Sequence, residues 1–225
     1  MSYPELDQIL RGLRSAATTV ILTEDALIDS HGLFLVAYAV NTFLQAKTAV
    51  VLKSFRFRKF ELEAVLVKAG ITNTAALVKT GQLRIFGIES GDEDADFEAW
   101  AGPRATESES ESDTALVLDG ATALLERSRD SHQGLCRLVN LLIRCEAVFK
   151  AITIKSEFDR DDRLETQVAE FLKKRADILI QTEPTSFVSS TVHGRLMVRN
   201  EGGDVYRRLY HVKDRSLRLT ALGSN

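Results

Sequence analysis

Short apolar runs alternate with longer segments of helical periodicity along most of this chain, and the rhythm changes only near its end. Leu6, Ile9, Leu10 and Leu13 recur at helical spacing and predict a short amphipathic helix from Pro4 to Leu13. Val20-Ile21-Leu22-Thr23 predicts a buried strand over 19–23. A helix over 32–46, a strand over 48–53 and a helix over 56–69 follow, the last closed by Gly70. A short helix at 72–79 and Gly81 lead into a strand at 82–88, and a further strand is expected at 114–118. Leu135, Leu138, Val139, Leu142 and Ile143 mark a helix over 131–146, and a strand over 147–154 comes next. Leu164, Val168, Phe171 and Leu172 share one face of a helix over 161–175, followed by a strand at 177–181. Residues 186–221 instead read as three or four short antiparallel strands with turns at Asn200-Glu-Gly-Gly and Lys213-Asp214. The pattern predicts a single α/β domain over 1–225, with a mostly parallel sheet flanked by helices and a C-terminal antiparallel meander at one edge. No internal repeat is visible.

The helix over 32–46 is apolar almost all round, through Leu33, Phe34, Leu35, Val36, Tyr38, Val40, Phe43 and Leu44. A helix of that kind has to be covered on every side. The sheet covers one face, so another part of the chain or a partner subunit is expected to cover the rest. Its uncharged run, Gly32–Ala46, is 15 residues long. A membrane span needs about 20, so a buried core helix is the better reading. Met1–Ser15 is a charged, capped helix pattern rather than a signal peptide.

Composition changes this picture in two places. The 225 residues are 44% hydrophobic with a formal charge of −3, ordinary for one globular domain. Residues 89–113, however, hold ten acids against Arg104 alone, a local charge of −9 that leaves the rest of the chain at +6. With Gly91, Gly102, Pro103 and the Glu-Ser alternation over 107–112, this stretch reads as a long, largely disordered acidic loop. Cys136 and Cys145 lie nine residues apart on one expected helix, hence on roughly opposite faces at about 100° per residue. They cannot pair with each other, which fits a reduced intracellular compartment.

The most informative chemistry is chemistry withheld. A loop joining a buried strand to a helix is where a phosphate-binding loop would carry Gly-x-x-x-x-Gly-Lys-Ser/Thr. Here it reads Glu24-Asp25-Ala26-Leu27-Ile28-Asp29-Ser30-His31-Gly32. No lysine reaches for a β/γ-phosphate and no hydroxyl follows one to hold Mg²⁺. Glu24, Asp25 and Asp29 would repel an anion. Asp119 ends an apolar strand, as the magnesium-positioning Walker-B aspartate does. Without the lysine and hydroxyl it reads as a helix N-cap or a hydrogen-bonded remnant, with a ligand role the alternative.

Other constellations are blander. Asp92-Glu93-Asp94-Ala95-Asp96 matches the start of a calcium loop, but Phe97 and Pro103 stand where it needs Gly and Glu. Ser108, Ser110 and Ser112 would suit an acid-directed kinase, and phosphate there would only deepen a negative patch. His31, His132, His193 and His211 are scattered without metal-ligand spacing, so no metal site and no cofactor is expected. No catalytic nucleophile stands out. Basic residues gather at 127–132 (Arg127, Arg129, His132) and 155–163 (Lys155, Arg160, Arg163), where loops after the fourth and fifth strands would face one side of the sheet. Arg127, Arg129, His132, Lys155 and Arg160 are therefore the RNA-binding candidates, although Glu157, Asp159, Asp161 and Asp162 interrupt the second loop. The meander carries Arg195, Arg199, Arg207, Arg208, Lys213, Arg215 and Arg218. Arg207, Arg208 and Tyr210 are the interface candidates.

The stretches His31-Gly-Leu-Phe-Leu-Val-Ala-Tyr-Ala-Val-Asn-Thr-Phe-Leu-Gln-Ala-Lys47, Val50-Val-Leu-Lys-Ser-Phe55 and Gly81-Gln-Leu-Arg-Ile-Phe86 resemble Elongator complex protein 6. So do Val192-His-Gly-Arg-Leu-Met-Val198 and Tyr210-His-Val-Lys-Asp-Arg-Ser-Leu217, and the likeness runs from about residue 5 to 222. The resemblance implies a RecA-like fold that lacks P-loop motifs. It implies assembly with Elongator subunits 4 and 5 into a heterohexameric ring that joins the catalytic Elongator subcomplex and contacts tRNA. That complex serves wobble-uridine modification in a cytoplasmic or nuclear setting, with the chemistry in another subunit. It also implies no cofactor and no membrane. Against this stand a divergent RecA-type ATPase whose site a neighbouring subunit completes, resting on Asp119, and a free-standing RNA-binding module using the meander arginines.

Overall fold

The computed structural model describes residues 19–24, 33–88, 114–121, 123, 136, 149–155, 163–183, 194–200, 203, 205–213 and 216–221. Among them lie nine strands: β1 (Thr19–Glu24), β2 (Ala49–Ser54), β3 (Leu83–Phe86), β4 (Thr114–Asp119), β5 (Phe149–Lys155), β6 (Ile178–Glu183), β7 (Gly194–Asn200), β8 (Val205–Lys213) and β9 (Ser216–Ala221). Four helices are described in full: α1 (Leu33–Gln45), α2 (Lys59–Lys68), α3 (Thr74–Lys79) and α4 (Arg163–Arg175). The expected helices over 4–13 and 131–146 and the acidic stretch 89–113 lie outside the described residues, except for Cys136, which is helical and exposed.

All nine strands form one sheet in the order β3-β2-β4-β5-β1-β6-β7-β8-β9. The pairs from β3 to β6 are parallel, and β6-β7-β8-β9 run antiparallel. The expected parallel sheet with an antiparallel meander at one edge is therefore present. The parallel strands read as continuous apolar runs because both of their faces are covered. Val50 and Leu52 pack with Ala115, Val117, Leu83 and Ile85 against Val36, Val40, Leu62 and Leu66 of α1 and α2. Val51, Leu116, Leu118 and Ile152, which alternate with them on the other face, are at most 2% exposed.

Helix α1 is buried at Phe34 through Val40 and again at Thr42 and Phe43. The chain thus covers this apolar helix itself, without help from a second subunit. Its N-terminal end reaches the meander, where the Phe34 and Tyr210 rings lie 5.5 Å apart. Helix α4 buries Val168 and Leu172, whereas Phe171, expected on the same face, is 46% exposed.

Two of the boundaries that differ from the sequence pattern share one reason. Helix α2 begins at Lys59 rather than at 56, and β3 stops at Phe86 rather than at 88. Residues 55–58 form a turn instead, and Gly87 packs so closely under it that a Cβ there would lie 2.2 Å from the Lys59 backbone nitrogen. The Ile88 N–H donates to the Phe57 carbonyl at 2.8 Å, fastening the turn to the end of β3.

Candidate functional site

In a mostly parallel sheet the chemistry gathers at the carboxyl ends of the strands, where successive loops emerge on one side. Three of the residues singled out by sequence stand there. Asp119 ends β4, and Glu24 and Lys155 are register partners at the ends of the adjacent strands β1 and β5. Asp25, Asp29, His31, Gly32, Arg127, Arg129, His132 and Arg160 lie outside the described residues.

The fully described part of this edge is built on β2 and β4. Register pairs Ser54 with Asp119, and both are 0% exposed. The Ser54 hydroxyl donates to Asp119 Oδ2 at 2.7 Å. Its oxygen accepts the backbone N–H groups of Arg56 and Phe57, each at 3.0 Å. One serine thus anchors the turn and the carboxylate together. Arg56 Nη2 lies 2.6 Å from Asp119 Oδ1, a charge-assisted hydrogen bond between side chains 10% and 0% exposed. The Phe55 N–H adds a bond of 2.9 Å to the Asp119 carbonyl.

The arginine fits only because the next residue lacks a side chain. Gly120 adopts φ +68°, and a Cβ there would lie 2.4 Å from Arg56 Cγ. The Arg56 guanidinium also lies 5.2 Å from the Phe57 ring centroid. Beside the cluster, Lys53 is 1% exposed and donates from Nζ to the Gly87 carbonyl at 2.9 Å. Its ammonium lies 5.7 Å from the Phe55 ring centroid.

The arrangement favours the hydrogen-bonded role among those open to Asp119. Its carboxylate is held by side chains at the end of β2 and in the turn after it. It is the centre of a buried hydrogen-bonded cluster with an arginine as counter-ion. A nucleotide-bound magnesium ion needs a carboxylate oxygen turned toward it, and here one oxygen is held by a guanidinium and the other by a hydroxyl. With its charge matched by Arg56 and both oxygens engaged, Asp119 is less free to serve that ion. Among the described residues, no group of three His, Cys, Asp or Glu side chains suits any metal. Arg56 is not singled out by sequence, since it is one of many basic residues. The usable signal is Gly120 directly after Asp119, a residue that permits both a positive φ and close approach.

No protein-family model matches the chain, and no curated protein sequence matches it. Solved structures do. The KaiC-like protein PH0186 of Pyrococcus horikoshii superposes with a TM-score of 0.65 at 14% identity, over 97% of this chain and 96% of its own. The flagellar accessory protein FlaH of Methanocaldococcus jannaschii gives 0.62 at 14% identity, over 99% and 97%. The fold is RecA-like. At that identity the likeness describes the fold and leaves the activity open.

The meander candidates divide by depth. Arg207 is exposed and Arg208 half-buried. Tyr210, expected at an interface, is 1% exposed and belongs to the core. It stacks near Phe34, and Gly194 lies against it so tightly that a Cβ would come within 2.6 Å of its ring. An aromatic ring in a strand reads equally as core or interface from sequence, and the register Gly194–Tyr210 decides for core. No described helix is long and apolar enough to cross a membrane.

Proposed function

We propose that this protein is a non-catalytic subunit of the Elongator complex, assembling with Elongator subunits 4 and 5 into a RecA-like heterohexameric ring that supports tRNA wobble-uridine modification. One observation carries the non-catalytic half of the reading: the Asp119 carboxylate is tied to Arg56 and Ser54 at 2.6 and 2.7 Å. The loop after β1 adds to it, since its sequence offers carboxylates and no lysine. The assembly half draws on the RecA-like sheet and on the resemblance of residues 31–55, 81–86, 192–198 and 210–217 to the Elongator subunit. RNA contact in this reading falls to the assembled ring, with Arg127, Arg129, His132, Lys155 and Arg160 the first residues to examine.

The test is co-expression with the two Elongator relatives, with mass measured by light scattering and ATP binding by calorimetry on the isolated chain. A stable hetero-oligomer and no heat of Mg²⁺-ATP binding are expected. A chain that ignores both relatives would end the assembly reading. The alternative is a divergent RecA-type ATPase completed by a neighbouring subunit, favoured by the likeness to the KaiC-like and FlaH structures and by the place of Asp119 at the end of β4. Micromolar ATP binding abolished by Asp119→Asn, with folding intact, would favour it.

A further inference from the structure

Among the described residues outside the strand-end cluster, one face of the meander has no role so far. Along β7, Gly194, Leu196 and Val198 are buried, and the residues between them point the other way: Arg195 and Arg199 are exposed and Met197 is half-buried. Register extends that face across the next two strands. Met197 pairs with Arg207, Arg199 with Val205 and Arg195 with Leu209, and His211 pairs with Arg218 on β9. Directly paired residues share a face, so Arg195, Arg199, Arg207 and Arg218 stand together on one surface, and all four are exposed. The opposite surface takes Tyr210 and, through it, helix α1.

Little on the described part of the molecule neutralises this array. Glu183 approaches Arg195 at 3.6 Å, with both side chains well exposed, a pairing that water screens. Arg199 reaches the backbone carbonyl of Lys173 at the end of α4, at 3.3 Å. Arg207 sits diagonally between Arg195 and Arg199, at about 7–8 Å between backbones from each. That zigzag is comparable to the step between successive phosphates along a nucleic-acid strand. Met197, Leu209 and the exposed Val205 fill the spaces between the guanidinium groups. The forks of the arginines suit phosphate oxygens, and the apolar floor between them adds contact without reading a base.

We propose that this face of β7, β8 and β9 binds the phosphodiester backbone of single-stranded nucleic acid, by charge and spacing rather than by sequence. The inference does not depend on the Elongator reading, because it concerns a surface of the isolated chain.

The test is fluorescence anisotropy of the full chain with labelled twenty-nucleotide oligouridylate, oligothymidylate and a hairpin duplex, between 50 and 200 mM salt. Four phosphate contacts predict a salt slope of about −3 on logarithmic axes, since each contact on a single strand contributes about −0.7. The triple variant Arg199→Gln/Arg207→Gln/Arg218→Gln should flatten that slope by about 2 and weaken binding at least tenfold at low salt. Arg84→Gln, exposed on β3 at the far edge of the sheet, should change neither. Equal binding of both single strands supports a backbone-reading surface, and tighter binding of the duplex overturns the single-strand assignment. An unchanged slope in the triple variant overturns the proposal, as does binding of polyglutamate with indifference to all three nucleic acids, which would mark an acidic protein partner. Should the variant fold poorly, photo-crosslinking of the unmodified chain to thiouridine-substituted oligouridylate tests the same surface, with crosslinks expected on the 194–200 and 205–213 peptides and crosslinks elsewhere counting against it. A chain that forms the ring with its relatives but fails these tests loses this proposal alone.

Discussion

At the scale of single residues, the molecule is most sensitive where a buried charge depends on one partner. Removing Asp119 strands Arg56 beside the core, and breaking a buried pair on one side costs about 3–5 kcal/mol. Asp119→Ala should therefore lower the melting temperature by roughly 10 °C, given the usual sensitivity of a chain of this size. Calorimetric melts would check this, and the double variant Arg56→Met/Asp119→Leu should lose clearly less than the sum of the single changes. Gly120→Ala should be destabilising for a second reason. It forces a side chain into φ +68° and into the space of Arg56 at once. Its urea midpoint should fall well below that of Gly203→Ala, where φ is also positive but nothing lies within 4 Å of the added Cβ. Little of this is legible in sequence beyond the aspartate and the glycine that follows it. Arg56 and Asp119 are far apart in the chain, and no local pattern says which of many arginines will meet a given carboxylate.

At the scale of elements, local pattern carries much further. The alternation Leu196, Val198 against Arg195, Arg199 marks a strand with one wet face, and the glycines at 202–203 mark its turn, with Gly203 at φ +82°. The apolar runs mark the parallel strands, because a strand covered on both faces has no alternation to hide. The helix start that differs, at Lys59, arises where Ser54 captures two backbone N–H groups and turns the chain after β2, and β3 stops at Phe86 where Ile88 bonds to that turn. A serine after an apolar run does not announce which amides it will take. Helix α1 bears the strongest element-level prediction. Phe43 is 4% exposed, so Phe43→Asp should abolish cooperative unfolding altogether, as read by near-ultraviolet dichroism. Tyr210→Ala, which empties the contact between this helix and the meander, should cost about 3–5 kcal/mol by urea titration.

At the scale of the whole molecule, composition and rhythm point to a parallel sheet with a meander but not to its strand order, which depends on pairings between distant segments. The two faces of the meander also separate two proposals. Arg208→Glu lies on the face opposite Arg207, and it should weaken ring assembly in light scattering if that face meets a neighbour while leaving oligouridylate binding nearly as it was. The strand order has a further consequence, for how the chain is made. β1 is synthesised first among the strands, yet its neighbours are β5 and β6, which begin at Phe149 and Ile178. The core formed by α1, α2, β2, β3 and β4 is complete by Val117. A nascent chain can therefore consolidate one half of its sheet on the ribosome while its first strand waits, unpaired, for the last third of the message to be translated. Such long-range closure slows folding and leaves an apolar strand open to wrong partners in the interval. That places the period of greatest risk of aggregation late in translation, and makes this a chain for which the pace of decoding beyond residue 120 bears on the yield of folded protein.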